Sequence, residues 1–282
     1  MSLVRFVVGF VGLGLAGVTV PALAVDLSTG IDSPAAQDAT APTASGLRLT
    51  AGLGVAFAPD YEGSDDHTIA PLWNLRVGNL YHPDTYAQVI GPSLRSNLIP
   101  DEHWRFGVSG RYLPDYEDVD DSKVNDIEDA DQTFLFGVTL GYDFLNGARN
   151  DLALEVDAQY DVAEGNGGVV TPRLRWASPV GNRMAFAGSI SGTWAGEDYM
   201  SNRFGISGSD ADQSGLDQYD ADAGFKNATV TGSLTYRLTE RWSVTGLAAF
   251  SRLFADAEDS PIVDDRGDAN QLLGGVLVNF TF

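Results

Sequence analysis

Apolar and polar residues alternate along most of this chain with a period of two, the spacing of a strand that shows its two faces to different surroundings. The pattern is clearest where Leu152, Leu154, Val156, Ala158, Tyr160 and Val162 oppose Asp151, Glu155, Asp157, Gln159 and Asp161. It recurs in Leu47–Phe57, Trp104–Tyr112, Phe134–Phe144, Val170–Trp176, Met184–Trp194, Val230–Leu238, Trp242–Phe250 and Leu272–Phe282. Residues 68–78 and 85–96 alternate less cleanly, because Pro71 and Pro92 interrupt their pairing.

Connections between these segments alternate in length. Short turns are expected at Leu145–Asn150, Ser178–Asn182 and Thr239–Glu240, and long polar loops near 113–131, 196–224 and 255–269. That asymmetry, with Trp, Tyr and Phe at many strand ends, is the signature of a transmembrane barrel with short periplasmic turns and long outer loops. The expected fold is all-β, a closed antiparallel transmembrane β-barrel. Eleven strands are visible. Single-chain bacterial barrels favour even numbers, so about 12 strands are expected, with 10 as the alternative and Asp198–Gly205 as a place for a missed strand. A soluble two-sheet sandwich is the competing architecture, but it has no need of alternating loop lengths.

The first residues change the picture of where the barrel begins. Arg5 precedes an apolar run from Phe6 to Val20, and Ala22 and Ala24 flank Leu23, so residues 1–24 read as a signal peptide, too short for a spanning helix. Residues 25–46, rich in Ala, Ser, Thr, Pro and Asp, read as a flexible tail, and 47–282 as the barrel. Export and a final strand ending in Phe282 place the expected protein in the outer membrane of a Gram-negative cell, in contact with its lipid and lipopolysaccharide.

Composition then narrows the chemistry. The chain of 282 residues carries a formal charge of −22 and no cysteine. Such acidity disfavours nucleic acid, whose phosphates need Lys and Arg, and the lack of thiols excludes disulfides and cysteine chemistry. A hydrolase would have to use His67, His82 or His103, each read here as lying in a loop or turn beside Asp66, Pro83 or Glu102 rather than next to a wall Ser. No catalysis, metal or cofactor is expected. The acidic run from Asp115 to Asp131 lacks the register of a calcium loop and is expected to be a solvated, mobile loop. Arg266-Gly267-Asp268 matches an adhesion tripeptide and reads as chance.

Several segments resemble the MltA-interacting protein (MipA/OmpV) family of outer-membrane barrels: Ala58-Pro59-Asp60-Tyr61-Glu62-Gly63-Ser64, Ser214-Gly215-Leu216 leading to Tyr219-Asp220-Ala221-Asp222-Ala223-Gly224, Tyr236-Arg237-Leu238-Thr239 before Trp242-Ser243, Ser251-Arg252-Leu253, and Asp259-Ser260-Pro261-Ile262-Val263. The resemblance implies a non-enzymatic scaffold joining a murein transglycosylase to a penicillin-binding protein, or alternatively a small porin-like channel. Inside the barrel the polar faces carry Arg105, Arg111, Arg173, Arg175, Arg183, Arg237 and Arg241 against Asp143, Glu155, Asp157 and Asp161, and of these Arg105, Arg111, Glu155, Asp157, Arg173, Arg175 and Arg237 are the lumen-lining candidates. These side chains either pair and plug a narrow lumen or line a charge-selective pore.

Overall fold

The computed structural model describes residues 46–116, 119–127, 130–146 and 150–282. The expected signal peptide, and all of the expected tail but Gly46, lie outside them. Twelve strands alternate up and down: β1 (Arg48–Pro59), β2 (His67–Gly78), β3 (Tyr86–Ile90), β4 (Ser93–Asn97), β5 (Trp104–Leu113), β6 (Thr133–Asn146), β7 (Asp151–Asp161), β8 (Gly168–Val180), β9 (Met184–Ala195), β10 (Gly224–Arg237), β11 (Trp242–Leu253) and β12 (Asn270–Thr281). Each pairs with its chain neighbour, and β1 with β12, so the sheet closes on itself and has no free edge to aggregate. Val55 on β1, facing Pro71 on one side and Val276 on the other, marks the seam. There Gly54 is required: a Cβ would lie 1.8 Å from the Val276 carbonyl oxygen.

The twelfth strand does not come from Asp198–Gly205, which is helical. It comes from the division of 85–96 into β3 and β4, joined at Gly91-Pro92, where Gly91 has φ +48°. Only Gly takes that left-handed backbone without a steric cost. The hairpin is short and pairs with β2 only over Asn74–Gly78. Above it, Pro71 stays inside β2 instead of interrupting it, and its missing N–H lies on the side that β3 does not reach, where a donor would go unpaired. His67 is the first residue of β2, not part of the preceding loop, and stacks on Phe57 at 4.4 Å.

The outward face is apolar. Leu53, Val55, Phe57, Leu140, Val156, Ile190, Val230, Leu272 and Val276 are all at least 38 % exposed, the arrangement expected of a wall solvated by hydrocarbon. Aromatic pairs ring its two ends, Trp104 with Tyr142 and Trp242 with Phe280 below, Trp194 with Phe225 above. They sit where amphipathic rings favour the membrane interfaces.

Above the wall the long connections fold back as a cap. It carries α1 (Ser122–Asn125), α2 (Glu197–Phe204), α3 (Gly208–Ser214), α4 (Asp256–Asp259) and α5 (Pro261–Asp264). Tyr61, Tyr116, Val124, Ile127, Ala130, Ile206, Leu216 and Ile262 bury together, and a second cluster joins Tyr199, Met200 and Phe204 to Leu113, Leu135, Val169 and Leu253 at the strand tops. Within the acidic run at 113–131, the described residues Tyr116, Val124, Ile127 and Ala130 are buried in the cap and anchor it, which the sequence expectation of a freely mobile loop did not include.

Candidate functional site: a closed lumen beneath an outer cap

Inward positions meet across the lumen because period two puts every second residue there, and a barrel of this size leaves room for long side chains only. On the β4–β8 side four arginines and four carboxylates interlock. Arg95 reaches across three strands to Glu155 at 3.1 Å and Asp157 at 3.2 Å. Arg105 Nε donates to Asp143 at 2.6 Å. Arg173 pairs with Asp157 at 2.9 Å, and Arg175 with Asp151 at 3.0 Å, Glu155 at 3.2 Å and Asp143 at 3.5 Å. None of the eight is more than 7 % exposed, and the charges cancel. Balance is a physical requirement here, since an unpaired ion at that depth would be strongly destabilising.

The opposite wall is closed by neutral groups. Gln88 Nε2 donates to Asn74 at 2.7 Å, Asn74 Nδ2 to Asn279 at 3.0 Å, and Asn279 Nδ2 to Thr245 at 3.3 Å. Toward the cap, Leu72, Ile90, Leu247, Leu273 and Leu277 fill the interior. From β1 round to β12, each strand presents a buried inward residue at mid-height, so the described side chains fill much of the interior at that level.

Of the candidates read from the sequence, Arg105, Glu155, Asp157, Arg173 and Arg175 are brought together. Arg111 and Arg237 have the right parity but the wrong height. Arg111 lies near the top of β5 facing Ser93 and Leu135, where its charge acts on Tyr199 under the cap. Arg237 ends β10, and its guanidinium donates to the Asn182 carbonyl at 2.6 Å. Three further members complete the cluster: Asp143, which alternation places on the inner polar face, Asp151, which the same parity would add, and Arg95, whose short strand alternation does not separate from β3. Asp161, also on the inner polar face by alternation, is not in the cluster. It closes the turn after β7 by accepting from the amides of Ala163, Glu164 and Asn166.

Two long-range ion pairs help to fasten the cap. The buried Glu62, in the loop after β1, receives hydrogen bonds from Lys226 on β10 and, at 3.3 Å, from the Tyr199 hydroxyl on α2. Burial pushes the Tyr199 phenol well above its ordinary pKa, with Glu62 adding to the shift, so the hydroxyl keeps its proton and goes on donating. Arg203 donates to the Pro114 carbonyl at 2.8 Å and stacks 4.4 Å from the Tyr116 ring centroid, while Tyr116 donates to the Arg203 carbonyl at 2.9 Å.

The second contact is the ion pair of Arg266 with Asp121, which also caps α1 by accepting from the amides of Lys123 and Val124. Arg266-Gly267-Asp268 thus has a structural role: the Asp268 amide donates to the Gly63 carbonyl at 2.8 Å, and a Cβ at Gly267 would lie 1.9 Å from that oxygen. Burial opposes ionisation of Asp121, but the Arg266 hydrogen bond and the two amides outweigh it and hold its pKa below the usual carboxylate value of 3.8. A depressed pKa stabilises the folded cap fully above the unfolded value, and the contribution fades as pH falls through the folded one. Limited proteolysis of the outer loops is therefore expected to accelerate below about pH 4, and Asp121→Asn to remove that acceleration. Equal acceleration in the variant would place the sensitive group elsewhere.

A cavity of about 590 Å³ opens in the cap, lined by residues outside the strands that include Asp131, Asp198, Asn202, Asp210, Tyr219 and Asp220. Among the described residues no group of His, Cys, Asp and Glu is placed to hold a metal ion.

The family model of the MltA-interacting protein MipA matches residues 51–282, the whole wall and cap from the first turn of β1 onward. The chain belongs to the MipA family. No curated protein sequence matches it significantly. Among solved structures it resembles the NanC porin at 11% identity and TM-score 0.40, over 83% of this chain and 99% of that one. It resembles the COG4313 outer membrane channel from Pseudomonas putida F1 at 10% and 0.41, over 86% and 98%. It also resembles the translocator domain of the autotransporter NalP from Neisseria meningitidis at 10% and 0.39, over 92% and 100%. Likeness at that level assigns no function, so for this MipA-family chain the function has to be argued from its own lumen and surfaces.

Proposed function

We propose that this protein is a non-enzymatic outer-membrane scaffold that holds a murein transglycosylase, together with a penicillin-binding protein, at the inner surface of the membrane. The observation that carries the reading is the filled lumen. A diffusion pore needs a continuous polar path, whereas here four arginine–carboxylate sets close one wall, an amide and hydroxyl chain closes the other, and the cap seals the outer mouth. A barrel filled in this way would have its surfaces as the working parts, which supports the scaffold reading. The family's printed description, an MltA-interacting protein, supports a murein transglycosylase as the partner.

Planar-bilayer recordings of the purified protein are expected to show no discrete conductance steps, and cross-linking in intact cells to capture a murein enzyme. Stepwise conductance would instead establish the small porin-like channel as the function.

A further inference from the structure

The inner mouth of the barrel carries a charge pattern found nowhere else on the described surface. Five arginines gather along one half of the rim: Arg237 ending β10, Arg48 opening β1 and Arg76 near the end of β2 at inward register positions, and Arg183 and Arg241 in the turns one residue before β9 and β11. Backbone hydrogen bonds make the row continuous. Arg237 N donates to the Arg183 carbonyl, Thr281 N to the Arg241 carbonyl and Phe282 N to the Leu49 carbonyl, while Thr50 faces both Thr281 and Arg76.

All five are at least partly exposed, in contrast to the buried residues at mid-height. The turns joining β8 to β9 and β10 to β11 contain one acid, Glu240. Among the described residues, the turns before β3 and β5 carry Asp84, Asp101 and Glu102. Outer loops are dominated by Asp and Glu, so the arginines are not a sample of the general surface.

We propose that this arc is the docking surface for an acidic segment of a periplasmic protein, which enters the mouth from below; the proposal rests on the scaffold reading and assigns its contact surface. Three observations select that occupant. Register parity turns Arg48, Arg76 and Arg237 toward the lumen axis, away from the outward aromatic residues Trp242 and Phe280, and Arg183 and Arg241 stand in the turns beside them. Five inter-strand steps from β9 to β2 span about 24 Å along the rim, too wide for one small anion and suited to a chain carrying several carboxylates. Guanidinium forks match carboxylates in two-point geometry, which suits them to a segment carrying Asp and Glu.

The test uses the purified protein in detergent and a fluorescent oligoglutamate peptide, read by anisotropy. Saturable binding is expected, suppressed by about 0.5 M salt, and weakened about tenfold or more in the double variant Arg183→Gln/Arg241→Gln. Both side chains are exposed, and an unchanged band for the unboiled protein on gels would show that the variant folds. Absence of saturable binding, or equal binding by the variant, would overturn the assignment. So would displacement of the peptide by a soluble short-chain phosphatidylglycerol as effective as displacement by unlabelled peptide.

Cross-linking in cells separates this proposal from the scaffold reading. A murein enzyme captured equally by wild type and double variant would reject the arc and leave the scaffold standing. Peptide binding that behaves as expected, with no protein captured by either form, would reject the scaffold and keep the arc as an acidic-peptide site.

Discussion

Replacing Glu155 by Gln is expected to destabilise the barrel by about 3–5 kcal/mol, the usual cost of leaving buried charges without their partner. The substitution keeps volume and shape and removes one charge. Glu155 is 5 % exposed and faces Arg95 at 3.1 Å, Arg175 at 3.2 Å and Arg173 at 3.7 Å. Asp157, Asp151 and Asp143 would remain to balance four arginines, and the excess charge would sit among residues at most 7 % exposed. Equilibrium unfolding in denaturant, with refolding into detergent micelles, measures the effect. Added salt should change it little, because buried pairs are poorly screened.

Arg237→Gln supplies the internal comparison. It lies at the mouth with part of its surface in water, so its loss should cost no more than about 1 kcal/mol. If Glu155→Gln also costs under about 1 kcal/mol, solvent already reaches the cluster. The lumen would then be a wet, charge-lined passage, and the argument for a scaffold over a pore would fail with it.

How much of this was legible beforehand differs by element for physical reasons. In β7 one face meets hydrocarbon and the other meets ions, so Leu154, Val156 and Asp157 announce both the strand and its parity. In β3 and β4 five residues each leave too few alternations to set a period, and the turn between them reads as a break in one strand. Arg95 was lost with that boundary, although it bridges the widest gap in the cluster.

Height was a second blind spot. Alternation says which way Arg111 and Arg237 point but not how far along the wall they sit, which only the stagger of the closed sheet determines. The cap was least legible of all. α1, α4 and α5 have four residues each, below any helical period. The residues that bury Tyr116, Val124 and Ile127 come from loops far apart in the chain, so the 113–131 segment shows its carboxylates and hides its anchors. Glu62 stands in sequence beside Asp60, Asp65 and Asp66, and nothing local marks it as the acid that Lys226 and Tyr199 hold.

Lys226→Met is expected to release the cap at a cost of about 3–5 kcal/mol, because it leaves the Glu62 carboxylate buried with the Tyr199 hydroxyl as its remaining donor. Three elements far apart in sequence meet at that carboxylate: the loop after β1, α2 and β10. The wall itself loses no ladder hydrogen bond, since β10 keeps its pairing with β9 and β11. The readouts should therefore diverge. Protease cleavage within 196–223 and hydrogen exchange in α2 should accelerate, while the unboiled protein keeps the gel mobility of a closed barrel. Adding Glu62→Leu removes the stranded charge and should recover most of the loss, giving a coupling energy of about 0.5–3 kcal/mol between the two sites. A single variant whose outer loops stay as protected as wild type would mean that the apolar clusters around Tyr61 and Phe204 hold the cap unaided. Simultaneous loss of cap protection and of the closed-barrel band would mean something different: cap and wall form one cooperative unit, and the closed lumen depends on the outer loops as much as on the arginines beneath them.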